Sequence, residues 1–541
     1  MRNLHLGMSS HQLTARFWAG RIAASAAIAS AAFTFAGCST LPAYSVPTTA
    51  MPTHYANAST DAKTSGATNG WTVASPDDGQ PHGAWWTIFN IDELNTLERR
   101  IDVSNQSVKK AVSQLEQARA MVDYQRSGFF PTITAGTAAE RFRTSQNITG
   151  RSLAGKTIPD YSAGLSASWE PDLFGRIRDA VTNADANAQA SAQDLESVRL
   201  AMSADLAKDY FDLRALDTQK KLLDDSVKAY SAALSLLQQQ LADGAIDASA
   251  VAQAQTQLES TRTQDADLDV TRAQLEHAIA TLVGEPASTF SLPPVVETFA
   301  IPAIPPGLPA ALLQRRPDIG AAERRVAAAN AQIGEAHAAF FPDLVLSASA
   351  GLESSFFAPW LTAPSLFWSI GPQLAGTLFD GGKRDAGLRG ATAQYDGAVA
   401  DYRQTVLVAL QQVEDNLAAL RSLADEAQSQ QRAVSAAELS LRLTTNRFNA
   451  GAVSYLDVVT AQTIALANEQ TADQIAARRM DASVALIKAL GGTWQAGAPA
   501  SAQKPPALAN GTASPAAVRA ERSASQDING YDRQTRTDGG A

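Results

Sequence analysis

The chain has one cysteine, Cys38, in 541 residues, so no disulfide can form within it. Its six histidines are scattered, with no pair at metal-ligand spacing. Positive charge is scarce: 44 Lys and Arg stand against 54 Asp and Glu, for a formal charge of −10. That balance argues against a nucleic-acid binder, which shows a basic patch. Past the N-terminus there is no apolar run of about 18 residues, so no spanning helix is expected in the mature chain. A membrane barrel stays open, because barrel strands alternate and read weakly. No phosphate-binding loop occurs: "LFDGGKRDAG" has Gly-Gly-Lys but lacks the spacing and the Ser or Thr. No nucleophile sits beside a paired base, so no enzyme is expected. What the chain has is bulk: 45% hydrophobic residues can bury a large core.

The N-terminus reads as a leader. Arg16 and Arg21 precede "IAASAAIASAAFTFAGC", a charged segment followed by a short apolar one. "FAGC" resembles a bacterial lipobox, with Phe35 where Leu is usual. The resemblance implies that residues 1–37 are removed and that Cys38 carries a covalent lipid. Ser39 in second place implies sorting to the outer membrane. Each buried CH₂ of an acyl chain contributes about 0.8 kcal/mol to anchoring. Residues 38–84 read as a tether or wrapped arm, and residues 495–541 as a disordered tail.

Between them the chain repeats itself, over 85–300 and 301–494. A helical segment, about 91–128 and then about 309–339, runs into Phe-Phe-Pro at Pro131 and Pro342. A strand pair follows, then "DLFG" at Asp172 and "LFDGG" at Leu378. A long helix comes next, about 176–242 and 383–449, and a return helix, about 246–283 and 453–490. Gly244 and Gly451 are 207 residues apart, as are Gly284 and Gly491. A helix of 67 residues spans roughly 100 Å, so these must project. Leu195, Val198, Met202, Leu206, Tyr210 and Leu213 recur in steps of three and four, a coiled-coil stripe.

Each proline ends a helix, because it lacks an amide donor and clashes with the preceding turn. After Pro342 the period becomes two: Leu344, Leu346, Ala348, Ala350 and Leu352 share one face. After Pro131 the alternation is weaker. Partner strands start at Tyr161 and Leu366, and all four have the length of a membrane strand. Phe129, Phe130, Trp169, Phe340, Phe341, Phe367, Trp368 and Phe379 sit at strand ends, as interface aromatics do. Four strands cannot close a barrel, and an open edge is not tolerated in lipid. Other copies must complete it, as a dimer with eight strands or a trimer with twelve. Pro131, Asp172, Gly175, Pro342, Asp380 and Gly381 mark the strand–helix junctions. Asp172 and Asp380 serve there as helix caps. Glu323, Arg324 and Arg325 form a charge run expected on a solvated face.

"RRPDIGAAERRVAAANAQIGEAHAAFFPDLVLSASAG", "SWEPDLFGR", "LFDGGKRDA" and "WWTIFNIDELNTL" together resemble the TolC-like outer membrane factors. Within that family they resemble the OprM/NodT-like lipoproteins of tripartite efflux systems. The resemblance implies a mainly α fold with a membrane β-barrel portion. Three copies would make a 12-stranded barrel continuous with a long periplasmic α-helical barrel. It implies a passive duct for drugs or other small toxic compounds. Partners would be a periplasmic adaptor, an inner-membrane pump of the resistance-nodulation-division type and outer-membrane lipid, with no cofactor beyond the lipid. The same duct could export proteins or peptides. A structural coiled-coil lipoprotein is a third reading, disfavoured by the period-two segments.

The resemblance also implies roles at the helix tips. Gly244, Ala245, Gly451, Ala452 and Ser454 would receive the adaptor. Tyr455, Leu456, Asp457 and Thr460 would form the periplasmic aperture. Efflux-type relatives often carry an aspartate and an arginine where this chain has Thr460 and Thr463. A mouth closed by Leu456 packing, weakly sensitive to salt, is therefore expected. Ser454 and Asp457 also match a helix capping box.

Overall fold

The computed structural model describes residues 43–49, 51–56, 84–147, 154–297, 299–302, 304 and 315–492. The leader, Cys38, Ser39 and residues 495–541 lie outside the described residues. A short 3₁₀ turn (Trp85–Phe89) leads into helices α1 (Asp92–Ser104) and α2 (Gln106–Ser127). Strands β1 (Thr132–Arg143) and β2 (Thr157–Trp169) follow, then α3 (Arg176–Ala242) and α4 (Ala248–Leu282). The order repeats with α5 (Pro317–Ala338), β3 (Asp343–Ser354), β4 (Leu366–Ala375), α6 (Lys383–Asn449) and α7 (Tyr455–Ala489).

The long helices α3 and α6 have 67 residues each, and the return helices 35 each. Their joins are alike. Ala245 N–H reaches Gln240 O at 2.8 Å and Ala452 N–H reaches Arg447 O at 2.9 Å, the backbone closure of a helix that turns back at glycine. The far ends of the return helices match too. Gly284 and Gly491 have φ +75° and +89°. A Cβ on Gly284 would lie 2.8 Å from the carbonyl carbon of Ser104, and one on Gly491 2.8 Å from that of Arg315. No side chain fits at either place.

Two differences from the sequence expectation stand out. The segment 91–128 is two helices, divided at Asn105, whose ψ of 127° leaves the helical region. Its Oδ1 accepts from Ser107 and Val108 N–H, and its Nδ2 donates to Leu282 O at 2.8 Å. The residue thus caps α2 and ties it to the end of α4. Glu323 is not on a solvated face: it is 0% exposed. The Tyr44 hydroxyl and Arg324 both reach its carboxylate.

Tyr44 belongs to an arm that docks on the second repeat. Met51 and Tyr55 of this arm complete a core with Ile319, Val326, Tyr402, Val406 and Leu486. The matching core of the first repeat gathers Trp85, Leu94, Leu206, Leu213 and Ile279. Beside it Arg214, 1% exposed, bonds Asp217 at 2.8 Å and Pro293 O at 2.8 Å, clipping the inter-repeat segment onto α3.

Glu98 is buried in the same region, with one oxygen on Ser203 Oγ at 2.7 Å and the other unpartnered. Burial pushes its carboxyl well above the ordinary range. A raised carboxyl binds its proton more tightly folded than unfolded, so stability falls as pH rises through that raised value. Glu98→Gln should therefore unfold at a higher temperature than the unmodified protein at pH 8, with the gain shrinking at about pH 5. Melting of the detergent-extracted protein at both pH values checks this; parallel curves would count against it.

Candidate functional site

The four strands form one antiparallel sheet in the order β1-β2-β3-β4. Its register sorts the faces. Ile133, Ala167, Ala348 and Ile370 lie opposite one another across the sheet. So do Leu165, Ala350 and Trp368. Alternating with them are Thr134, Ser166, Ser349 and Ser369, and then Gly136, Gly164, Gly351 and Phe367. One face is apolar from edge to edge and the other is hydroxyl- and glycine-lined. On the polar face Thr134 and Ser166 hydroxyls meet at 2.7 Å, and those of Ser349 and Ser369 at 3.0 Å. Among the described residues the middle of the apolar face is uncovered: Trp368 is 72% exposed and Ile370 76%. Among the described residues, β1 and β4 each pair along one edge only. Phe367, expected with the interface aromatics, lies on the polar face against Gly351, opposite in sense to Trp368.

The junctions are built from capped helix starts. Pro131 and Pro342 directly precede β1 and β3. The Asp172 carboxylate accepts from Ile177 N–H at 3.1 Å and Arg178 N–H at 3.0 Å, satisfying first-turn amides of α3. Asp380 does the same for α6 through Arg384 N–H at 3.2 Å, and binds the Arg384 guanidinium at 2.7 Å. Gly175 and Gly382 occupy the cap position with φ of 84° and 90°. Gly381 precedes the cap with φ +65°. Phe174 and Phe341 stack at 4.7 Å, joining the two junctions.

At the opposite end lies the tip. Gly244, Ala245, Gly451 and Ala452 are all exposed loop residues. Asp457 Oδ2 accepts from Ser454 N–H at 3.0 Å and from its hydroxyl at 2.7 Å, completing the capping box. Tyr455 does not present itself at a surface: it is 6% exposed and packs on Phe448 at 5.4 Å. With Leu237, Ala254 and Val458 it forms a small core joining both hairpins. Leu456, next in sequence, is 53% exposed. Thr460 Oγ1 donates to Leu456 O at 2.8 Å; Thr463 Oγ1 lies 2.9 Å from Val459 O of its own helix and 3.3 Å from Gln257 Oε1 of α4, so both hydroxyls are engaged within the chain.

Two site residues escape a linear reading yet follow from the 207-residue offset. Ser454 maps onto Asp247, which caps α4 by accepting from Ser249 N–H at 2.7 Å. Gly175 maps onto Gly382 rather than Gly381. The aromatic β3–β4 loop, with Phe356, Phe357 and Leu361 about 70% exposed, carries no offset signal at all.

The family model "Outer membrane efflux protein" matches twice, over residues 99–285 and 308–492, which restates the repeat. The cation efflux system protein CusC of Escherichia coli is 29% identical over 86% of this chain and 97% of its own length. A Pseudomonas putida protein, the probable efflux pump outer membrane protein TtgC, is 31% identical over 86% and 95%. The solved outer-membrane channel OprN superposes with a TM-score of 0.74 at 28% identity, covering 84% of this chain and all of that one. The chain belongs to the outer membrane efflux protein family.

Proposed function

We propose that three copies of this chain form the outer-membrane duct of a tripartite efflux system, passing small toxic compounds outward from a pump and adaptor. The observation that carries this is the sheet: apolar on one face, polar on the other, with two edges unpaired among the described residues, at the end of helices about 100 Å long. Edges in lipid must be closed by further strands. Two copies would give eight strands, an interior that side chains fill; three copies leave a passage. The polar face lines that passage and the apolar face meets lipid. Cys38 carries the lipid anchor, six residues before Tyr44 of the docked arm. The tips around Gly244, Ala245, Gly451, Ala452 and Ser454 receive the adaptor. No catalytic step is assigned to any residue. Relatives named for cations and for efflux in general each match 86% of this chain, which fits a duct that selects little.

The test is subunit count and shape of the full-length protein extracted from outer membranes in mild detergent. Three subunits around a hollow cylinder are expected, and deletion of the gene should raise cellular accumulation of pump substrates. A solid rod or a poreless monomer would refute the duct.

A further inference from the structure

The outer rim of the sheet separates charge by face. On β1 the membrane-facing series Ile133, Ala135, Thr137, Ala139 continues into Arg141 and Arg143, opposite Pro159 and Thr157. Both arginines are exposed, and neither is ion-paired among the described residues. On the other face at the same level stand Glu140 and Asp160, directly opposite each other, and Glu353 opposite Ser162. Acid thus lines the exit, while base faces outward.

The β3–β4 loop joins the basic side. Tyr161, on the membrane face, packs its ring against Phe357 at 5.4 Å and Trp360 at 6.0 Å. Trp360 also donates from Nε1 to Leu352 O at 3.4 Å. The loop therefore folds over the lipid side of the rim, leaving Phe356 72% and Phe357 70% exposed. A loop lying across the exit would set these rings beside Glu140 and Glu353 instead.

We propose that this rim binds the phosphorylated headgroup of an anionic outer-leaflet lipid. Arg141 and Arg143 contact the phosphates, and the Phe356–Leu361 segment sits among the acyl chains beneath. Guanidinium matches phosphate geometry and charge. Aromatic side chains settle at the boundary between headgroups and hydrocarbon. The surface is continuous with the apolar face already assigned to lipid, so the inference rests on the membrane reading of the sheet.

The experiment is native mass spectrometry of the full-length protein extracted from outer membranes in mild detergent, counting retained phosphorylated glycolipid. The unmodified protein should retain it, and Arg141→Gln with Arg143→Gln should retain it roughly thirtyfold less, the effect of two surface cations. Glu140→Gln, on the exit face, should not change retention. Equal retention in the double variant overturns the proposal, and displacement by inorganic phosphate assigns the site to the free anion instead. If the double variant does not assemble, salt decides: retention by the unmodified protein must fall as ionic strength rises, and salt-independent retention overturns the proposal. A chain absent from the outer-membrane fraction in every variant would instead sink the membrane reading.

Discussion

Gly351→Val should leave cells almost without assembled channel. Gly351 lies in the sheet interior, opposite Gly164 on one side and Phe367 on the other. A Cβ there would run into the carbonyl oxygen of Ala163 and lie 2.6 Å from Gly164 Cα and 2.9 Å from the Phe367 ring. Two of these obstacles are backbone of the paired strand and cannot rotate away. Ordinary overpacking costs about 1–3 kcal/mol, and a collision with backbone exceeds it. Repeated in every copy, such a loss should lower the yield of assembled oligomer at least about tenfold. Gly371 is the control, on the same face, with nothing within 4 Å of the Cβ position. Gly371→Ala should assemble normally. The readout is oligomer recovered from outer membranes, compared at equal expression. Normal assembly of Gly351→Val would mean that the strands do not approach as closely as the register places them.

The long elements were legible in the sequence because their signals are local and doubled. Proline, then period two, then glycine before a 67-residue helical stripe, stated twice, leaves little freedom. The faces of β3 followed from Leu344 to Leu352 alone. Those of β1 did not, because "TITAGTAAERF" offers small residues on both faces; only pairing of Thr134 with Ser166 orients it. What stayed hidden depends on contacts across the chain. Glu323 looks solvated within "AERR" until Tyr44, 279 residues earlier, covers it. Asn105 looks helical until Leu282 O, 177 residues later, takes its amide. Tyr455 reads as a mouth residue because it neighbours Leu456, but one step along a helix turns a side chain by about 100°. That turn puts one ring in a core and the next side chain in the open.

The tip shows how far that separation carries into function. Leu456→Ala should open the periplasmic mouth without disturbing the fold, and Tyr455→Ala should disturb the fold. Leu456 makes little use of its own chain, being half exposed beside a satisfied capping box. In the duct proposed above, its closing partner is the same residue of the neighbouring copies. Losing that contact removes about 1 kcal/mol or more per copy. Summed over a ring, this should raise the conducting population roughly tenfold or more. Tyr455 instead spans Phe448, Leu237 and Val458, and its truncation should cost about 3 kcal/mol of tip stability. Single-channel conductance in planar bilayers measures the first effect, and protease sensitivity of the hairpin ends the second. Ionic strength separates this mouth from one held by charge. Thr460 and Thr463 spend their hydroxyls within the chain, on helix carbonyls and Gln257, and carry no charge to screen. Conductance of the unmodified protein, scaled for bulk conductivity, should then change little with salt. A steep rise with salt, or an unchanged mouth in Leu456→Ala, would place the closing contact on other residues.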